Sequence, residues 1–190
     1  GMEWAVKKGY GREEDLSHAE DGGKMKPAEP DVLSDKAINR GRPQLGTLGS
    51  GNHFLEVQKV TKIFDDKKAK ELGIEKEGQI TVMIHCGSRG LGHQVATDYT
   101  NKLDKEPMPY AEFNTSEGQE YFKAMNAAAN YAFANRQLIM HKTRQVFGKV
   151  FQVKPEKLGL DLVYDVTHNM AKLEVKSEKL KVKSDKEEEN

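Results

Sequence analysis

"QITVMIHCGSRGLGHQVATDYTNKL", residues 79–103, decides the reading of the fold. From Gln79 to His85 the side chains are β-branched or apolar almost throughout, which predicts a strand buried on both faces. Glycines 87, 90 and 92 then crowd around Arg89, and "GHQVATDYTNKL" predicts a helix that begins close to the strand's end. A strand that ends in a histidine holds that ring on a rigid edge open to solvent, which suits a ligand whose geometry must be fixed.

Two other stretches share this design. "TLGSGNHFLEV" (47–57) sets a glycine turn against Asn52 and His53, then runs into a predicted strand carrying Phe54, Leu55, Val57 and Val60. "LGLDLVYDV" (158–166) predicts a further apolar strand, which leads into Thr167, His168 and Asn169. Between and around them lie helical signals. "EWAVKKG" (3–9) and part of "REEDLSHAEDGG" (12–23) read as short helices stopped by glycine. "PDVLSDKAINRG" (30–41) predicts one helix with Pro30 near its start and Gly41 just past its end. "DKKAKELG" (66–73) is a charged surface helix, and Pro107 and Pro109 mark a loop. The longest helix is expected from Ser116 to about Lys149, with Tyr121, Met125, Ala128, Ala132, Asn135 and Ile139 at helical spacing. Strands and helices mix without βαβ alternation, so the expected class is α+β, a mixed sheet with helices. Residues 175–190 form a lysine- and glutamate-rich tail expected to be disordered, although the alternation from Leu173 to Val182 would suit an edge hairpin.

Composition narrows the function classes. At 190 residues the chain is long enough for one sizeable core. Thirty basic residues balance thirty acidic ones, so no global positive field announces a nucleic-acid binder. The single cysteine, Cys86, excludes an intrachain disulfide framework and points to a reducing compartment. No apolar run approaches the ~18 residues of a membrane span, and "GMEWAVKKGYGREED" has no continuous apolar core of a secretory leader. A cytoplasmic protein with no membrane partner is expected.

The chemistry concentrates in the histidines. His53, His85 and His168 sit at strand termini, and three neutral imidazoles can make a metal site with an open position. Each could instead cap its strand with a hydrogen bond. "GTLGSGNH" (46–53) and "GSRGLGH" (87–93) can aim backbone N–H groups at an anion, with Arg89 offering a planar fork for phosphate. Neither turn is a P-loop or a dinucleotide fingerprint. Cys86, adjacent to His85 and facing the other way, is read as packing. His18 and His141 are expected at the surface, and His93 lies close enough to the Arg89 turn to contact a phosphate.

"GTLGSGNHFLEVQ" (46–58), "HCGSRGLGHQVATDY" (85–99) and "YDVTHNMAKLE" (164–174) resemble the RtcB RNA ligases, the tRNA-splicing ligases, over roughly residues 1–174. The resemblance implies a partial RtcB-type fold and an enzyme that joins an RNA 3′-phosphate or 2′,3′-cyclic phosphate to a 5′-hydroxyl. It implies GTP and two Mn2+ as cofactors, with GMP carried on a histidine before transfer to the RNA. It further implies metal binding by His53, His85 and His168, and a GTP site lined by Asn52, His53, Phe54, Leu55, Glu56, His168 and Asn169. Arg89 would contact phosphate or RNA. The RNA partners would be tRNA exon halves and broken RNA, and archease assists family members. Spacing alone does not select manganese, which prefers oxygen ligands.

Two family phrases are absent: an Asp/Cys metal motif like "DVGCGM", and the guanylylated histidine in a phrase like "HRKGATR". The expectation is therefore a central portion, residues 1–174, that does not ligate RNA by itself and labels with no GMP. Two other classes stay open: a non-catalytic metal- or nucleotide-binding module, and a metal-dependent phosphoesterase.

Overall fold

The computed structural model describes residues 1–103 and 108–173. Its centre is one long helix, α6 (Ser116–Phe151), started by Thr115, whose side chain accepts from the Gly118 N–H, and ended by Gln152 in the left-handed conformation. Around it stand α1 (Met2–Lys7), α2 (Glu13–Ser17), α3 (Asp35–Gly41), α4 (Asp66–Glu71) and α5 (Arg89–Leu103). The strands β1 (Phe54–Lys59) and β2 (Ile80–His85) complete the order β1–α4–β2–α5. The class is α+β.

Small residues on α6 let other elements approach closely on two sides. On one side Ala129 and Phe133 pack with Met2, Val6, Ala19 and Met25. On the other, Ala124 and Ala128 pack with Ala37 of α3 and with Leu91, Val95 and Tyr99 of α5. Gly41 lies inside α3 with helical dihedrals, not beyond its end, and its lack of a side chain lets Leu91 pack against it.

Three expectations change. Residues 30–41 are two elements, a 3-10 turn at Pro30–Val32 and then α3, which starts afresh where the Ser34 hydroxyl accepts from the Ala37 N–H. Among the described residues the sheet is a single antiparallel pair, Phe54 opposite His85 and Lys59 opposite Ile80. Its strands are therefore not buried on both faces: Ile80 is 54% exposed and Met83 42%. Residues 158–166 form no strand. Among the described residues one parallel bridge, Ala19 to Asp165, is all the strand pairing this segment makes, so its apolar alternation finds no sheet there to join.

Among the described residues no helix is long and apolar enough to cross a membrane. The tail expected at 175–190, the alternation as far as Val182 and the loop position Pro107 lie outside the described residues.

Candidate functional site

The hairpin register brings the first two histidines together. His85 ends β2 directly opposite Phe54, so the two rings share one sheet face and meet edge-on at 5.2 Å. His53 stands one residue before β1, its ring 6.0 Å from that of His85. His168 arrives from the far end of the chain: its ring is 5.3 Å from His85, and the two Nε2 atoms are 3.1 Å apart, one donating to the other. Residues separated by as many as 115 positions in sequence thus form one imidazole cluster.

Arg89 closes its near side. Its backbone is left-handed (φ 54°), which turns the chain from β2 into α5 and sends the side chain back toward the glycine turn. There Nη1 lies 3.3 Å from His53 Nδ1 and Nε donates to Thr47 Oγ1 at 3.4 Å. Gly49 (φ 110°) is the residue beneath the guanidinium, and any Cβ there would collide with it. Burial, then the Arg89 charge, then His85 lower the pKa of His53, which favours the neutral ring that a cation or a proton acceptor requires.

The other residues expected at the site divide by position. Glu56 and Phe54 share the His85 face of the hairpin, whereas the Leu55 side chain points to the opposite face. The Glu56 carboxylate accepts from Gln58 Nε2 at 2.9 Å. Asn52 is exposed in its turn, and Asn169 is exposed with a left-handed backbone (φ 58°) just after His168. Cys86 is buried and its Sγ donates to the Leu48 carbonyl at 2.8 Å; burial raises its pKa, in keeping with a packing role.

The remaining histidines stay apart. His93 is exposed and faces Arg40, 3.3 Å away, not the Arg89 turn. His18 Nδ1 reaches the Val163 carbonyl at 3.3 Å. His141, expected at the surface, is partly buried with its ring edge-on to Tyr10 at 5.5 Å, and burial lowers its pKa.

Two features were not anticipated. Several amides of the glycine turns are turned inward: Gly46 and Thr47 donate to Asn135 Oδ1, and Gly90 donates to Gln44 Oε1 at 2.7 Å. They serve to tie the turns down, which narrows the anion cradle expected of them. The second is a buried ion pair behind the cluster, in which Arg136 Nε donates to Asp165 Oδ1 at 2.6 Å. Burial pushes the Asp165 carboxyl up to about 6 against the pull of Arg136, with Glu20 adding to the rise. The sequence signal for the Asn135 contacts was polarity inside the apolar face of a helix, since Asn135 fell in the periodic stripe of α6; nothing local pointed to the pairing of Arg136 with Asp165.

A cation fits the donor set in part. Imidazole nitrogens sit about 2.0–2.1 Å from a bound transition metal, so two on adjacent positions stand about 3 Å apart, as those of His85 and His168 do. Among the described residues, however, no three His, Cys, Asp or Glu side chains are gathered closely enough to hold an ion by themselves.

The family described as tRNA-splicing ligase RtcB matches residues 1–184. The chain is similar to the tRNA-splicing ligase RtcB of Archaeoglobus fulgidus, 56% identical over 185 residues, which cover 92% of this chain and 38% of the relative. It is similar to the Thermococcus kodakarensis protein of the same name, 53% identical over 196 residues, covering 96% and 40%. The Pyrobaculum aerophilum protein, again of that name, is 54% identical over 186 residues, covering 92% and 38%. The chain spans about two fifths of the length of these relatives.

Proposed function

The chain belongs to the tRNA-splicing ligase RtcB family, and we propose that it supplies the histidine cluster and phosphate-facing turns of an RNA ligase. The reaction is the joining of an RNA 3′-phosphate or 2′,3′-cyclic phosphate to a 5′-hydroxyl, with GTP and Mn2+ and by way of GMP on a histidine. The observation that carries this reading is the 3.1 Å approach of His85 and His168, beside His53 and Arg89.

In this reading His85 and His168 would hold the cation, and His53, whose ring stands 6.0 Å from that of His85, would be the third nitrogen ligand only after moving closer. Bound there, a divalent ion supplies charge neutralisation between adjoining phosphates and polarises the one under attack. The chain's own residues do the positioning on which phosphoryl and nucleotidyl transfer depend. Arg89 presents a planar fork to phosphate, Phe54 and Glu56 line the same face of the hairpin, and Asn52 and Asn169 flank the histidines as nucleotide contacts. RNA is the macromolecular partner, with Arg89 as its phosphate contact.

The test is Mn2+ binding followed by electron paramagnetic resonance. The wild-type chain is expected to bind saturably, His85→Ala and His168→Ala to bind at least about tenfold more weakly, and His141→Ala to match wild type. No saturable binding, or binding indifferent to His85→Ala, would sink the metal-site reading.

A further inference from the structure

Two consecutive residues of α6 touch all three segments that carry the histidines. Asn135 is fully buried. Its Oδ1 accepts from the Gly46 and Thr47 N–H groups at 2.6 and 3.2 Å, in the turn before His53. Its Nδ2 lies 3.2 Å from the Thr47 carbonyl, 3.2 Å from the Gly87 carbonyl and 3.1 Å from Cys86 Sγ, so the same amide also grips the turn after His85. Arg136 points another way along the same helix. Its Nη1 donates to the Cys86 carbonyl at 3.1 Å, and its Nε donates to Asp165 three residues before His168.

We propose that Asn135 and Arg136 are positioning residues, a buried polar clamp that sets the spacing of His85 and His168 and the placement of the His53 turn. The proposal rests on the reading of the cluster as a cation site and deepens it. Glycine-rich turns carry little intrinsic shape, and residues 158–166 have one bridge in place of a strand. His85 itself ends β2, but the turn before His53 and the segment before His168 have no regular structure of their own, so their fixed points are hydrogen bonds to a rigid helix. An amide with both its donor and acceptor sides engaged specifies one arrangement of the two turns. A planar guanidinium does the same for a carbonyl and a carboxylate that lie apart in sequence.

A purely architectural role fits less well. The two apolar clusters that hold α6 to α1, α3 and α5 use Ala124, Ala128, Ala129 and Phe133. The polar contacts of Asn135 and Arg136 go instead to Gly46, Thr47, Cys86, Gly87 and Asp165. Groups that orient a metal's ligands from behind typically carry about 10–100-fold in metal affinity.

The variants are Arg136→Met, Arg136→Lys and Asn135→Asp. Lysine keeps a positive charge beside Asp165 but cannot also reach the Cys86 carbonyl. Aspartate keeps the two acceptor contacts to the His53 turn and loses the donor side of the amide, which contacts Thr47, Cys86 and Gly87. Three measurements are made: the thermal melt, the nuclear Overhauser cross-peak between the His85 and His168 ring protons without metal, and the Mn2+ concentration that broadens those ring signals. In Arg136→Lys and Asn135→Asp we expect a cooperative melt, loss of the cross-peak and a requirement for about tenfold or more Mn2+. Should Arg136→Met fail to fold, these two variants decide. Variants that keep both the cross-peak and the Mn2+ response overturn the clamp. A wild-type chain with the cross-peak but no Mn2+ binding removes the cation reading alone, and the clamp then stands or falls on whether Arg136→Lys loses that cross-peak. A wild-type chain without the cross-peak overturns both.

Discussion

Two buried aspartate–arginine pairs hang from the same face-rich helix, and they behave differently. At one end Arg144 of α6 meets Asp15 of α2 through two parallel bonds of 2.7 Å each, while its Nε donates to the Leu160 carbonyl. Asp15 also accepts from Gln137 Nε2 and the Arg12 N–H. Burial works to raise that carboxyl, yet these partners together hold it below its ordinary value. Eight residues earlier on the helix, Arg136 meets Asp165 through a single oxygen, contacted by both Nε and Nη2 at 2.6 Å. There burial wins, and the carboxyl is pushed up to about 6. The first pair fastens helix to helix; the second holds an irregular segment whose next turn bears His168. Asp15 has the fuller set of hydrogen bonds and Asp165 the heavier burial penalty, and together these separate the rivet from the positioning device.

The largest expected effect breaks the first pair. Arg144→Met should cost about 3–5 kcal/mol in urea unfolding at neutral pH, because it strips a fully hydrogen-bonded carboxylate of its counter-charge. Arg136→Met should cost less, about 1–3 kcal/mol, since a carboxyl already near 6 needs little work to become neutral. Equal losses would show that the two pairs do the same job. The pH dependence sharpens the contrast, with opposite signs. Asp15 is held below its usual 3.8, so its stabilisation is present above that pH and is lost as the pH falls through the folded value. Asp165 binds its proton more tightly when folded, so its contribution is greatest below 3.8 and is lost as the pH rises to about 6. Urea titrations from acid to neutral pH should show Asp165→Asn removing the decline between those two values. The acid-side loss should persist in Asp165→Asn and diminish in Asp15→Asn.

How much of this was legible in the sequence follows from how local each signal is. Helix α6 was plain from its alanine run and spacing, and β1, β2 and α5 from short apolar runs punctuated by glycine. The three histidines could be named because each stood at a terminus or turn of such a run. Residues 158–166 misled because apolar alternation encodes a willingness to pair, not the presence of a partner strand, and among the described residues only Ala19 bridges to it. Asn135 was counted as one more position in the α6 stripe. Its meaning lies in turns 88 and 48 residues away, and nothing local reports them. A side chain of that polarity on the buried face of a helix was the clue available, since such groups are buried only when bonded.

The glycine turn offers a smaller and sharper test of the His53–Arg89 side. Gly49 has a backbone that L-residues avoid, and the Arg89 guanidinium occupies the space of its missing side chain. Gly49→Ala should therefore cost about 1–3 kcal/mol and displace Arg89 from His53. The His53 ring would lose a positive neighbour, so its titration, followed by nuclear magnetic resonance, should move upward toward its ordinary value. A Gly49→Ala chain with wild-type stability and unmoved His53 titration would mean that the turn is not the seat of Arg89.

The smallest effect is expected where the hairpin faces outward. Val57 is 59% exposed and lies on the face opposite to that of His85, beside half-exposed neighbours. If hydrogen bonds to α6 at its histidine-bearing end hold the hairpin in place, that outer face contributes little. Val57→Thr, which keeps the β-branched shape strands favour, should then change stability by no more than about 0.5 kcal/mol. It should also leave the His85–His168 cross-peak untouched. A loss of 1 kcal/mol or more (about the value of burying one methylene) would mean the outer face is packed in solution. The hairpin would then owe its position to apolar burial as α1, α3 and α5 do, and the contrast between a riveted core and a clamped site would disappear.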